Sequence, residues 1–246
     1  MAHEREPEHR HEPRRIERER AETPLQPQAE QWTTTGPIRA VGMEERVEEL
    51  ELNAAATVAD AAPLGLAAYA AATFSVSAIV AGWAPIVDLV TSVPILIIFG
   101  GIAQFVAAMW AFRKGETFWA TFLGVFGSWY AVLALAIMLG LGGTLTAIGG
   151  PAIVSVSLGV SVALFALIAA YLTYAAMGVS SVMVGVLGLL TVSLALVSVG
   201  FFVGLANAPF VLMAAGYAGL VSALIAFYAS AAIVINSALH REVLPY

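Results

Sequence analysis

Residues 117–141 read TFWATFLGVFGSWYAVLALAIMLGL, and they open a run, 117–239, that contains no Asp, Glu, Lys or Arg. A soluble fold needs a water-compatible surface, and this run cannot make one. A bilayer can solvate it, provided the backbone groups are satisfied inside helices. Over the whole chain 60% of residues are hydrophobic and 11% are charged, against about 25% charged in ordinary soluble domains. The expectation is an all-α membrane protein.

Working outward, the apolar sequence divides into six spans, at about 63–83, 93–112, 118–139, 151–174, 179–204 and 209–235. Each is near or above the roughly 20 helical residues that cross about 30 Å of hydrocarbon. Turn chemistry separates them: Ala84, Pro85 and Asp88 after the first, RKGE at 113–116, a glycine-rich stretch at 140–150, Met177 and Gly178, and ANAP at 206–209. Pro63, Pro151 and Pro209 are read as marking helix starts, where a missing N–H costs nothing. At Met177 and Gly178 a tight turn and a longer bent helix are both compatible with the sequence. Paired glycines such as Gly100 with Gly101 and Gly216 with Gly219 suit close helix packing.

The segment 1–52 differs in kind, being rich in Glu, Arg, Pro, Gln and His. It is expected to be a disordered charged cytoplasmic tail, because it buries too little to offset its ordering entropy. Within it, MEERVEELELN at 43–53 suits a short surface helix. Acids outnumber bases in the chain, which argues against a nucleic-acid arm. Residues 53–239 then form the transmembrane domain and 240–246 a short cytoplasmic end. Arg113, Lys114 and Arg241 fall on the side of the termini, while the opposite turns carry Asp88 and no base. The positive-inside rule places both termini in the cytoplasm.

The chain has no cysteine, and His240 is the only histidine beyond the tail. No catalytic residues, metal ligands or cofactor are therefore expected. The spans also lack a Lys or Arg to pair with an anion and a mid-span carboxylate to relay a proton. Hydroxyls, Gln104, several tyrosines and helix ends remain. Such a path suits a small weakly polar solute, or an anion held by backbone dipoles.

Three stretches resemble the acetate uptake transporter family, which includes the succinate–acetate permeases. The first is DAAPLGL at 60–66, where the family pattern is Asn-Pro-Ala-Pro-Leu-Gly-Leu. The second holds GGIAQF at 100–105, RKGETF at 113–118 and Gly127–Ser128–Trp129. The third runs from GYAGL at 216–220 through Tyr228 and Asn236 to Val243–Leu244–Pro245. The resemblance implies a six-transmembrane-helix bundle, a homo-hexameric ring and a separate path through each subunit. It places a narrow constriction on Tyr69, Phe126 and Leu190. The substrate path it implies takes in Asp60, Pro63, Leu64, Gly65, Leu66, Gln104 and Thr191 as well. Asp60 stands where the family has Asn; Ile233 stands where it has Glu and Phe201 where it has Asn, and these two make the path drier than the family pattern. Physically, Asp60 is placed to cap the first helix, whose free N–H groups would otherwise attract a carboxylate.

The resulting expectation is a transporter or channel in the cell membrane for acetate or similar monocarboxylates, with or without a coupled proton. Its partners are the substrate, the bilayer and other copies of itself. The alternatives are a channel for ammonia or another small neutral solute, and a non-transporting scaffold that presents the N-terminal tail.

Overall fold

The computed structural model describes residues 46–50, 59–141 and 143–245. Residues 46–50 are helical, within a unit that ends at Thr57. The rest of the expected tail, and of the helix expected at 43–53, lies outside the described residues. Everything below concerns the unit from Val58 onward.

Six helices in this unit are long and apolar enough to cross a bilayer, and the protein is a multi-pass membrane protein. The first span is Ala62–Val80. The second, Ile86–Arg113, is composite: a 3-10 turn at Ile86–Asp88, an α-helix at Leu89–Ile95, a π-helical segment at Leu96–Ala103 and an α-helix at Gln104–Arg113. The remaining spans are Thr117–Leu141, Thr144–Ala176, Ser181–Val203 and Pro209–Leu239.

Two boundaries differ from the sequence reading. The second span begins before residue 93 and carries Pro94 inside it. Proline removes one helical N–H and its ring crowds the preceding turn, which opens the coil; the wider π-turns follow directly. The fourth span starts at Thr144, not at Pro151. The glycine-rich stretch read as a long connection is mostly helix, because an apolar segment in lipid satisfies its backbone only by continuing to coil. Only the turn at Gly143, with φ 72°, interrupts it, and glycine meets no Cβ penalty there. At 177–180 the chain does break. Ser180 caps the fifth span by accepting the Met183 N–H at 3.2 Å, which excludes the single bent helix.

The helices are apolar nearly all round, so amphipathicity does not orient them; small residues and hydroxyls do. The first span packs along the sixth, the fourth along the fifth, the fifth along the sixth, and the second along the third. A Cβ on Gly216 would collide with the backbone of Ala81, and one on Gly219 with the Ser77 side chain. Those two glycines set how closely the first and sixth spans approach. Serines then tie neighbours together: Ser230 donates to the Pro63 carbonyl at 2.7 Å, Ser193 to Ala215 at 2.8 Å and Ser198 to Gly159 at 2.8 Å. At the far end of the sixth span Asn236 grips the last residues. Its Oδ1 accepts the N–H groups of Val243 and Leu244 at 2.8 and 3.0 Å, and its Nδ2 donates to the Leu244 carbonyl at 2.7 Å.

Candidate functional site

The bundle has two unlike ends with a buried aromatic cluster, here called the neck, between them. At the first end lie the start of the first span and the turn between the second and third. Asp60 Oδ1 accepts the Ala62 N–H at 2.9 Å, so the expected cap is formed. The next residue, Pro63, has no N–H to offer. Lys114 Nζ lies 3.9 Å from Asp60 Oδ1 and 2.8 Å from Glu116 Oε1. The hydrogen bond to Glu116, aided by the charges of Asp60 and Glu116 and opposed by partial desolvation, raises the Lys114 pKa above its ordinary value. Its ammonium therefore stays charged through neutral pH.

At the other end a vestibule of about 720 Å³ opens among the far half of the first span, the end of the third, the fifth span and the start of the sixth. Its walls are mostly aliphatic. Thr73, Trp129, Tyr130 and Leu190 are among the residues that line it.

The neck is a buried cluster. Leu66, Tyr69, Phe122, Leu123, Phe126 and Leu187 are fully buried. Tyr69 meets Phe122 edge-on with ring centroids 5.4 Å apart, and Phe122 meets Phe126 at 5.7 Å. Third-span residues 118, 122, 126 and 130 recur every four positions and so share one helical face. The hydroxyls of the neck form two ordered chains. Thr73 donates to the Tyr69 carbonyl at 2.7 Å, so its single proton is engaged and Tyr130 must donate to Thr73. Ser222 donates to the Val186 carbonyl at 2.7 Å, so Tyr69 must donate to Ser222, 2.7 Å away. What these four hydroxyls have left is lone pairs. Gln104 differs: it is fully buried, and both its amide atoms lack a partner among the described residues. It lies beside Phe105, whose backbone N packs against Gly127, and therefore at the level of the neck.

Residues 46–244 match the model of the GPR1/FUN34/yaaH family. The chain belongs to that family. Among its relatives is the "Succinate-acetate/proton symporter SatP" of Escherichia coli strain K12, 30% identical over 189 residues that cover 76% of this chain and 95% of that protein. "Acetate permease A" of Emericella nidulans is 39% identical over 85 residues, 35% of this chain. The chain spans only 28% of that permease's length. Among solved structures, that of the bacterial acetate channel SatP superposes with a TM-score of 0.68 at 26% identity, over 77% of this chain and 99% of that one.

Within this family member the residues read as a constriction are all buried. Tyr69, Phe126 and Leu190 belong to one buried cluster, with Leu190 also reaching the vestibule. Leu66 lies deeper in the same cluster and Gly65 packs against the Leu123 side chain. Leu64 stands on the outer surface, half exposed. Thr191 donates to the carbonyl of Leu187, itself a neck residue, at 2.8 Å and lies 3.2 Å from Thr173 of the fourth span. Sequence reasoning missed Phe122, Thr73 and Ser222. The four-residue recurrence of aromatics from Phe118 to Tyr130 was the signal for the first. Thr73 and Ser222 gave none, because their meaning lies in pairs that the sequence does not align. Among the described residues no three His, Asp or Glu side chains gather as a metal site would require.

Proposed function

We propose that this protein conducts acetate and similar short monocarboxylates across the cell membrane, with a proton, through a separate path in each subunit. The observation that carries the reading is the neck: a hydroxyl-lined aromatic constriction at the base of a vestibule, in a chain whose relatives carry acetate permease and symporter names. The path runs from Asp60, Pro63, Gly65 and Leu66 past Tyr69, Gln104 and Phe126 to Leu190, with Leu64 and Thr191 beside it.

The proton follows from hydrogen-bond direction. The neck hydroxyls have their protons engaged and present lone pairs, which repel a carboxylate but accept the O–H of an undissociated acid. The unpartnered Gln104 amide supplies both a donor and an acceptor, the complement of an undissociated carboxyl group. The neck thus favours the acid together with its proton. At the Asp60 mouth the anion instead meets Lys114, and Asp60 itself holds the helix-start N–H that an incoming carboxylate would use.

Both termini face the cytoplasm in this reading, since Arg113 and Lys114 lie on their side. The subunits assemble as a hexameric ring, as the family resemblance implies, and the chain has no enzymatic activity of its own. The test is labelled acetate flux into liposomes carrying the purified protein, with flux into empty vesicles subtracted. Protein-dependent acetate flux that acidifies the lumen supports the reading. Flux indistinguishable from empty vesicles for acetate, propionate and lactate rejects it.

A further inference from the structure

The vestibule is far larger than an acetate requires. Its volume of about 720 Å³ lies inside the roughly 300–1,000 Å³ range of pockets that enclose drug-sized ligands, which are likewise mostly apolar with a few placed polar groups. Val76, Ile79, Leu133, Val197, Leu212 and Met213 are among its walls, and no charged side chain among the described residues lines it. Its floor is the closed neck, so a chain that enters from the open end has nowhere further to go.

The polar groups within it are few and unequal. Thr73 and Ser193 donate to backbone carbonyls, and Tyr130 donates to Thr73. Ser77 is the exception: the residue lines the cavity, and its hydroxyl makes no hydrogen bond among the described residues. It sits against Gly219, where a Cβ would also lie 3.2 Å from Ser193 Oγ. One free hydroxyl thus stands next to one acceptor-only hydroxyl under an aliphatic shaft. An undissociated carboxyl fits that pair, since its carbonyl accepts from Ser77 and its O–H donates to Ser193. A carboxylate does not fit, because Ser193 offers only lone pairs and no cation among the described residues lines the wall.

We propose that the vestibule is a binding site for medium-chain aliphatic monocarboxylic acids, held by the acyl chain on the apolar wall and by the undissociated carboxyl on Ser77. Such acids lodge above the neck and block it instead of crossing. The binding goes beyond the transport reading and stands on the cavity alone; the block of the neck rests on that reading.

The experiment uses the full chain in lipid nanodiscs, as two single-tryptophan variants. One keeps Trp129, which lines the vestibule; the other keeps Trp110, 47% exposed on the outer face of the second span. The probe is ω-bromooctanoic acid, whose bromine quenches nearby indole. The expected result is saturable quenching of Trp129, displaced by unbrominated octanoic acid and tightening as pH falls, while Trp110 quenches in simple proportion to acid dissolved in the lipid. Val197→Phe and Leu133→Phe, each filling the cavity, should raise the half-saturating concentration by about tenfold. Val132→Phe, on the exposed face of the third span, should leave it unchanged. Trp129 quenching that is unsaturable and parallel to that of Trp110 overturns the proposal, as does saturation that neither filling variant shifts. Saturable quenching without any acetate flux would sink the transport reading and leave this site standing. Acetate flux with unsaturable quenching would do the reverse.

Discussion

The two ends of the path are built from opposite materials. At the Asp60 end three charged side chains, Asp60, Lys114 and Glu116, are linked within 3.9 Å. At the vestibule end no charged side chain among the described residues reaches the cavity. On the proposed reading the first end handles a carboxylate as an ion, with a fixed cation and a competing internal carboxylate. The second handles it as an organic molecule, with hydrocarbon walls and neutral hydroxyls. On that reading a solute that passes between them changes its character on the way, and the neck is where the change has to occur.

The largest expected effect comes from removing that division. Phe126→Ala deletes a fully buried ring and should cost about 3–5 kcal/mol of stability by the usual cost of a core aromatic. Where the protein survives in lipid, it should admit lactate alongside acetate in a liposome competition assay. Unchanged selectivity would return Phe126 to plain packing. Next is the vestibule frame: Gly216→Val drives a side chain into the Ala81 backbone and should cost about 1–3 kcal/mol by overpacking, read as a lower thermal midpoint in detergent. A variant as stable as the parent would mean that the first and sixth spans are free to separate.

The charged end gives smaller effects. Asp60→Asn keeps a capping oxygen for Ala62 and removes the negative charge beside Lys114. Acetate flux at neutral pH should rise a few-fold, about what 1 kcal/mol of helix-end electrostatics can give. Flux that is equal or lower from about pH 5 to 8 would remove Asp60 from the electrostatics of entry. Lys114→Gln should lower flux by a similar factor throughout that window. The sign is fixed by the raised Lys114 pKa: a group raised in the folded state keeps its full contribution below its unfolded value and loses it only in alkali. A Lys114→Gln effect that appears or vanishes near neutrality would contradict this. Smallest is Tyr69→Phe, which removes one donor to Ser222 while Ser222 keeps its bond to Val186. About 1 kcal/mol of stability should be lost, and a larger loss would assign the phenol a wider network.

Much of this was legible in the sequence because lipid is a severe solvent. The uncharged run beyond residue 117 and the RKGE turn at 113–116 left six crossings as the natural reading, and six helices are present. What misled was punctuation. Gly149, Gly150 and Pro151 mark a loop in water, yet the fourth helix runs through them. Pro94 looked like a position near a span's start and lies inside a helix that widens after it. Within the candidate site, the first-helix cap was readable because Asp60 and Ala62 are two residues apart. The pairing of Tyr69 with Ser222, 153 residues away, was not. Nor did local sequence distinguish Gln104, left without partners, from any other helical glutamine.

The π-helical stretch at Leu96–Ala103 acts as a phase shifter. An ordinary α-helix advances about 100° per residue, so a coil that takes an extra residue per turn rotates everything downstream of it. Gln104, Ala107, Ala108 and Ala111 all face inward beyond that point. Excising one residue from the widened stretch and letting it tighten to α geometry would swing this stripe by roughly that angle. An amide now enclosed among helices would then be aimed toward the acyl chains of the bilayer, with no charge altered and no contact residue mutated.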